Sequence, residues 1–298
     1  MAISPALAAY RRRVAKVPAP ATLIAAIVSF QLGAALVTHL FDSTGVQGAV
    51  FLRSALGAGL LMAITRPSLR GRSRSDLALL LLLGAILAAM NSAFYQAIDR
   101  LPLGIAVTVE FLGPLGVAVA ASRRRLDLVW VALAGTGIVL FAGSPSGSSV
   151  TAAGLAFALG AAAAWAGYIL VAKRVGARWP GFEGLAVSLT VSAVLLAPSG
   201  AVEGISALGD TRVLALAVAV ATFSTALPYS LELSALRRMT PGLYGVLASL
   251  EPLVGAIVGL IVLGQTLSRW DALAALLVVT ASAGASRSAT SPPEIAPS

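Results

Sequence analysis

Three ionisable residues fall in the middle of long apolar runs of the sequence. Arg53 lies in the second such run, Glu110 in the fourth and Glu251 in the ninth. A charged side chain at the centre of a membrane helix costs about 2.5 to 3.5 kcal/mol on insertion scales, so these residues must face protein or water. We predict that they bind a substrate or a proton. A structural Arg–Glu pair that ties two helices together is the alternative.

Two prolines interrupt the same helices next to the two glutamates. Pro114 cannot donate a hydrogen bond to the carbonyl of Glu110, and Pro252 leaves the carbonyl of Ala248 without its usual donor. Broken helices that line a cavity are where secondary transporters bind substrates and coupling ions. The sequence therefore predicts helix breaks at Gly113, Pro114 and Pro252, although proline kinks are also common in ordinary membrane helices.

Polar and aromatic residues near or within the apolar runs are weaker candidates for the wall of a substrate pocket. They are Asn91, Tyr95, Trp165, Tyr168, Tyr229 and Tyr244. Trp165 and Tyr168 are three positions apart and therefore share one helix face. Such groups can enclose a small zwitterion, whereas core packing is the simpler interpretation for any one of them.

Recognisable enzyme motifs are absent from the sequence. The chain contains no HExxH motif, no GxSxG motif and no Gly-rich phosphate loop, and it has a single histidine. It has no cysteine, which excludes thiol catalysis and Cys-ligated zinc or iron–sulfur sites. We predict no enzymatic activity, no cofactor and no metal. The net charge of +9 could indicate nucleic acid, but the basic residues lie in short clusters between apolar runs, which is typical of membrane topology.

The elements that position these residues are predicted to be transmembrane helices. Of the 298 residues, 58% are hydrophobic and 11% are charged, and the mean hydropathy is +0.92; soluble domains carry about 25% charged residues. A helix needs about 20 apolar residues to cross a bilayer core. Apolar runs fall at 19–39, 46–65, 77–94, 102–121, 128–143, 151–171, 185–202, 213–231, 242–263 and 270–285. We therefore expect an all-α protein with ten transmembrane helices.

The distribution of basic residues predicts the orientation, because Lys and Arg in short loops stay in the cytoplasm. With the N-terminus inside, all but four of the 21 basic residues fall on the cytoplasmic side. The exceptions are Arg100, Arg212 and Arg269 on the opposite side and Arg53 within a helix. We expect both termini to be cytoplasmic.

A shift of 138 residues aligns the two halves of the chain. It pairs Ala97 with Ala235, Gly104 with Gly242, Leu112 with Leu250 and Pro114 with Pro252. Because each half would hold five helices, an odd number, the second half is inverted relative to the first, as in many secondary transporters. The predicted organisation is a cytoplasmic tail at 1–18, five-helix repeats at 19–145 and 146–285, and a disordered cytoplasmic tail at 286–298.

Two segments resemble the EamA-type drug/metabolite transporter superfamily, and within it the bacterial threonine/homoserine exporters. They are FYQAIDRLPLGIAVTVEFLGPLGVAVAASRRRLDLVWVALA at 94–134 and STALPYSLELSALRRMTPGLYGVLASLEPLVGAIVGLIVLGQTL at 224–267. The resemblance extends over about residues 21–285. It implies ten helices in two inverted halves, and outward transport of small amino acids or related metabolites across the bacterial inner membrane by proton exchange. It assigns no substrate-binding residues.

The expected function is therefore a secondary transporter that exports threonine- or homoserine-like amino acids by proton antiport. The alternative is a non-transporting membrane scaffold or subunit whose buried ion pairs are structural. The expected partners are a small-molecule substrate, protons and the lipid bilayer, and not nucleic acid. Nothing in the sequence determines the oligomeric state.

Overall fold

The computed structural model describes residues 17–121, 127–142, 150–179, 182–236, 238–239 and 241–290. All regular secondary structure in these ranges is helical. The helices are α1 (Ala19–Thr38), α2 (Phe41–Thr65), α3 (Arg74–Ile98), α4 (Leu103–Glu110 and Leu112–Ala121), α5 (Asp127–Ala142), α6 (Ala152–Arg178), α7 (Glu183–Ala207), α8 (Thr211–Ala221 and Leu227–Leu236), α9 (Pro241–Ala248 and Glu251–Leu263) and α10 (Arg269–Thr290). The prediction of an all-helical chain is confirmed.

Eight of these ten helices are long and apolar enough to cross a membrane, namely α1 to α4 and α6 to α9. In α5 the apolar part is shorter, at Leu128–Leu140. Helix α10 runs to Thr290 and so includes residues 286–290, which the sequence analysis assigned to the tail. Alanine and arginine favour helix, which is consistent with this extension. The predicted tail residues 1–16 and 291–298 lie outside the described residues.

Local capping determines where several helices begin and end. Ser73 and Asp76 form a capping box at the start of α3, in which the Asp76 amide donates to the Ser73 hydroxyl over 3.1 Å. At α6 the Thr151 hydroxyl accepts from the Gly154 amide over 3.0 Å. Gly264 ends α9 in the left-handed region, with φ of 64°.

Two helices are broken on the turn before a proline. The interruption in α4 is at Phe111, and the interruption in α9 is at Ser249 and Leu250. A proline removes the hydrogen bond to the carbonyl four residues earlier, so Pro114 and Pro252 weaken the turn that precedes them. The two breaks therefore lie a few residues before the positions named from the sequence.

The third residue named as a helix break, Gly113, lies within the second piece of α4 and packs against α6. A side chain at this position would clash with the carbonyl of Ala162. Glycine here permits the backbones of the two helices to approach closely.

A third interruption, in α8, was not predicted. Residues Thr222–Ala226 form a π-helical turn, and Pro228 follows it. Glycines of α1 and α2 face this turn: a Cβ on Gly33 would lie 2.6 Å from Cβ of Ser224, and one on Gly57 would lie 2.9 Å from Cγ2 of Thr225. The π-turn is therefore held between two helices of the other half of the chain.

The helices pack in pairs that join the two halves of the chain. Helix α2 packs against α7, α3 against α6, α1 against α8, and α5 against α10. Helices α2 and α7 meet at glycines, where a Cβ on Gly48 would lie 3.1 Å from the amide nitrogen of Gly204. Small residues at such crossings permit close helix contact.

One end of the bundle is densely packed. It contains the connections from α1 to α2 and from α3 to α4, where Val37, Leu40 and Leu103 have no exposed surface and Leu101 is 3% exposed. The polar groups described below lie between this end and the opposite one.

Candidate functional site

A cavity of about 120 Å³ lies in the interior of the bundle, between α1, α2, α3, α4, α6, α8 and α9. Eight of the nine residues named from the sequence as binding candidates line it: Arg53, Glu110, Glu251, Asn91, Tyr95, Trp165, Tyr168 and Tyr229. Tyr244 is not among the lining residues. Pockets for drug-sized ligands measure about 300 to 1,000 Å³. The size of this cavity therefore suits a molecule with few heavy atoms.

Arg53 is the positive charge of the cavity, and its partners are neutral. Its Nε donates to the Ser224 hydroxyl over 2.8 Å, its Nη2 donates to the Ser224 carbonyl over 3.0 Å, and its Nη1 donates to Oδ1 of Asn91. The guanidinium carbon lies 5.5 Å from the centre of the Tyr95 ring. Arg53 itself is 5% exposed.

The described part of the chain contains no ion pair of Arg53. The ion pairs found among the described residues join Arg72 to Glu183, Arg100 to Asp99 and Arg178 to Asp76, all near helix ends. The structural Arg–Glu pair considered from the sequence is thus not formed by Arg53. A buried cation without an anion within 4.0 Å is available to an anionic ligand.

The local structure of α8 and α3 orients the acceptors of Arg53. In a regular α-helix the Ser224 carbonyl would accept from residue 228, but Pro228 has no N–H. This carbonyl accepts a hydrogen bond from Arg53. On α3, the Asn91 amide group donates to the Leu87 carbonyl over 2.7 Å, which leaves its Oδ1 for the arginine.

Three carboxylates line the same cavity, from three different helices. Glu110 ends the first piece of α4, Glu251 begins the second piece of α9, and Glu232 lies on α8. Glu232 accepts a hydrogen bond from the Tyr244 hydroxyl. Within the described residues, the carboxylates of Glu110 and Glu251 have neither a hydrogen bond nor an ion pair. Glu251 also lies at a helix N-terminus, where the backbone dipole favours negative charge.

Aromatic rings form part of the cavity wall. The rings of Phe111 and Trp165 meet edge to face with centroids 5.3 Å apart, and those of Phe30 and Tyr229 do so at 5.2 Å. These contacts hold Trp165 and Tyr229 in place. Aromatic faces near carboxylates also suit an organic ammonium group.

Three polar residues of the cavity were missed as candidates in the sequence analysis: Gln31, Ser224 and Glu232. Glu232 lies near the end of an apolar run, where a carboxylate can simply reach the membrane surface. Pro228 within the eighth run was the available signal, because it is the same kind of interruption that directed attention to α4 and α9.

A second cavity, of about 230 Å³, lies towards the connection between α6 and α7. It shares Tyr168, Tyr229 and Glu232 with the central cavity, and Trp179 and Phe182 line it near that connection. This second cavity is mostly apolar. The two cavities thus meet at a wall of two tyrosines and one carboxylate.

Residues 152–287 match the model of the EamA-like transporter family. Threonine/homoserine exporter RhtA of Salmonella typhimurium strain SL1344 is 42% identical over 274 residues, which are 92% of each chain. RhtA of Escherichia coli strain K12 is 42% identical over 263 residues, covering 88% of this chain and 89% of that protein.

More distant similarities extend over much of the chain. The uncharacterized inner membrane transporter YicL of Salmonella typhimurium strain LT2 is 27% identical over 220 residues, covering 70% of this chain and 73% of that protein. A protein solved by crystallography has a TM-score of 0.57 at 18% identity, covering 88% of this chain and 95% of the other. The latter is a likeness of fold alone.

Proposed function

The chain belongs to the EamA-like transporter family of multi-pass membrane proteins, and from this premise we propose that it exports small amino acids related to threonine and homoserine. The names of the two RhtA relatives support this substrate class, since these proteins align with about nine-tenths of the chain. The name of YicL supports a location in the bacterial inner membrane. The proposal includes no enzymatic reaction and no cofactor.

The observation that carries the proposal is the arrangement of charge in the central cavity. Arginine has five N–H donors, and Ser224 and Asn91 occupy three of those of Arg53. Two donors remain for the α-carboxylate of an amino acid. Glu110 and Glu251 are available for its ammonium group. A zwitterion thus supplies a carboxylate for Arg53 and an ammonium group for the glutamates, which are the opposite charges that these groups lack.

The transport mechanism that we propose is exchange for protons. Three carboxylates and one guanidinium share the cavity, and two carboxylates without a cation are unfavourable in a site of low dielectric. A proton neutralises Glu110 or Glu251 when the cavity is empty, and the substrate ammonium replaces that proton on binding. Substrate leaving the cell and protons entering it then occupy the same groups in turn.

The proposed topology has ten transmembrane helices in two inverted repeats, at 19–145 and 146–285, with the tails 1–18 and 286–298 in the cytoplasm. The helix pairs support it. When each helix is replaced by its counterpart in the other half, five helices away, the pair α1 and α8 becomes the pair α6 and α3. The same exchange leaves the pair α2 and α7 and the pair α5 and α10 unchanged. Inverted repeats of this kind permit two equivalent packings, one open to each side.

Access from the cytoplasm is supported by the second cavity. It lies at the end of the bundle that bears Arg72 and Arg178, which is the cytoplasmic end in the proposed orientation. The opposite end is packed with fully buried apolar side chains. We propose that substrate enters the central cavity past Tyr168, Tyr229 and Glu232.

Flux measurements in proteoliposomes test the proposal. Vesicles that contain the purified protein should show saturable counterflow of labelled threonine, and an inwardly directed proton gradient should accelerate efflux. Linear flux without dependence on the gradient would indicate a passive pore. If no member of a panel of amino acids and metabolites is transported, the scaffold alternative is correct.

A further inference from the structure

The side chain of Gln31 leaves a buried polar atom without a partner at the cavity wall. Gln31 lies on α1, lines the central cavity and is 4% exposed. Its Oε1 is fully buried and has no hydrogen-bond partner. Its Nε2 has no partner among the described residues either, but it is not fully buried. Buried polar groups in native proteins are normally hydrogen-bonded, so this exception calls for an explanation.

The surroundings of Gln31 differ from those of Arg53. A Cβ on Gly255 would lie 3.2 Å from the Gln31 Oε1, so this oxygen lies against the bare backbone of α9, one turn after Glu251. Gly33, two residues along α1, instead approaches Ser224, which binds Arg53. Successive residues on a helix differ in direction by about 100°, so Gln31 faces away from the Ser224 contact. Gln31 and Arg53 therefore contribute to different parts of the cavity wall.

We infer that Gln31 selects substrates with a hydroxyl group on the side chain, by donating a hydrogen bond from its Nε2 to that hydroxyl. The inference rests on the proposed function and adds the residue that reads the side chain. In the proposed binding mode, charged groups of the cavity hold the carboxylate and the ammonium of the substrate. A neutral amide is left, and a neutral hydroxyl is its natural partner.

The physical consequence is discrimination between molecules of the same shape. Threonine and valine differ by a hydroxyl in place of a methyl group, and homoserine and norvaline differ in the same way. A site that hydrogen-bonds a substrate hydroxyl rejects the analogue without it strongly, because the buried group of the site is then left unpaired. A purely apolar pocket has no such preference.

The test is the ratio of kcat/KM for threonine over valine, and for homoserine over norvaline, in proteoliposomes. Gln31→Leu keeps the approximate volume and removes the side-chain amide. Both ratios should fall at least tenfold, with valine transport unchanged or raised. The Tm of the ligand-free variant should not fall, because leucine removes an unpaired buried oxygen. Gln31→Met, which is unbranched like glutamine, should give the same result and serves if the leucine variant folds poorly.

Ser29→Ala is the matched control on the same helix. Ser29 is also 4% exposed, but its hydroxyl donates to the Phe223 carbonyl over 2.7 Å. Its removal leaves that carbonyl without this donor, so the Tm should fall while both selectivity ratios stay at the wild-type value. The two positions thus differ in the sign of the stability effect as well as in selectivity.

Three results would overturn the inference. Unchanged ratios in both Gln31 variants would exclude a contact with the hydroxyl. An equal loss of transport for all four amino acids, with a lower Tm, would make Gln31 a structural residue. A wild-type protein that transports no amino acid would refute the proposed function as well, and this outcome is recognised before any variant is made.

Discussion

Replacement of Arg53 by methionine is the most direct perturbation of the site. It removes the cavity's guanidinium while keeping a long apolar side chain, and it leaves the Asn91 oxygen and the Ser224 carbonyl without their charged donor. Truncating one partner of a buried, hydrogen-bonded charge pair costs about 2 to 5 kcal/mol in binding. Since about 1.4 kcal/mol corresponds to tenfold, kcat/KM for threonine should fall about 30-fold to about 4,000-fold.

The assay is counterflow of labelled threonine in proteoliposomes, with Tm and the elution profile in detergent as measures of folding. Arg53→Lys keeps the charge but not the planar donor fork, so its activity should lie between those of wild type and Arg53→Met. Arg212→Met is the control, because Arg212 is exposed at the start of α8; its kcat/KM should not change.

Two outcomes would refute the reasoning for Arg53. A folded Arg53→Met protein with kcat/KM within about threefold of wild type would show that the guanidinium does not bind substrate. A Met variant that fails to fold, together with a Lys variant that folds and transports at the full wild-type rate, would assign Arg53 a structural role.

Three further predictions concern the topology, the proton coupling and the π-turn. A cysteine in place of Ser146 should react with a membrane-impermeant thiol reagent added outside, and one in place of Ser73 should not; the reverse labelling would contradict the inverted-repeat proposal. Glu110→Gln and Glu251→Gln keep side-chain shape but cannot exchange a proton, so efflux in at least one of them should no longer accelerate when the outside is made acidic. Full gradient-driven efflux in both and in the double variant would exclude these carboxylates as proton carriers. Pro228→Ala restores a backbone N–H that competes with Arg53 for the carbonyl of Ser224. Because Arg53 is then held less firmly, KM for threonine should rise severalfold. An unchanged KM would mean that the hydrogen bond from Arg53 to this carbonyl does not matter for binding.

Local properties of the sequence were sufficient to predict the helices and the principal candidates of the site. Each helix follows from a run of apolar residues, because a backbone in lipid must satisfy its own hydrogen bonds. Arg53, Glu110 and Glu251 attracted attention through the cost of each single charge in a membrane. All three line the central cavity. These inferences need no knowledge of which helices are neighbours.

The partners of these residues depend on tertiary structure. Arg53 binds residues that are 38 and 171 positions away, on α3 and α8, and no local pattern indicates that these helices meet. The place of Glu232 in the cavity, in turn, depends on how α8 packs beside α1 and α2. Side-chain spacing fixes which residues share a helix face, but the crossings of distant helices decide which faces meet. Here glycines such as Gly33 and Gly57 allow the π-turn to approach, and that contact brings the Ser224 carbonyl to Arg53.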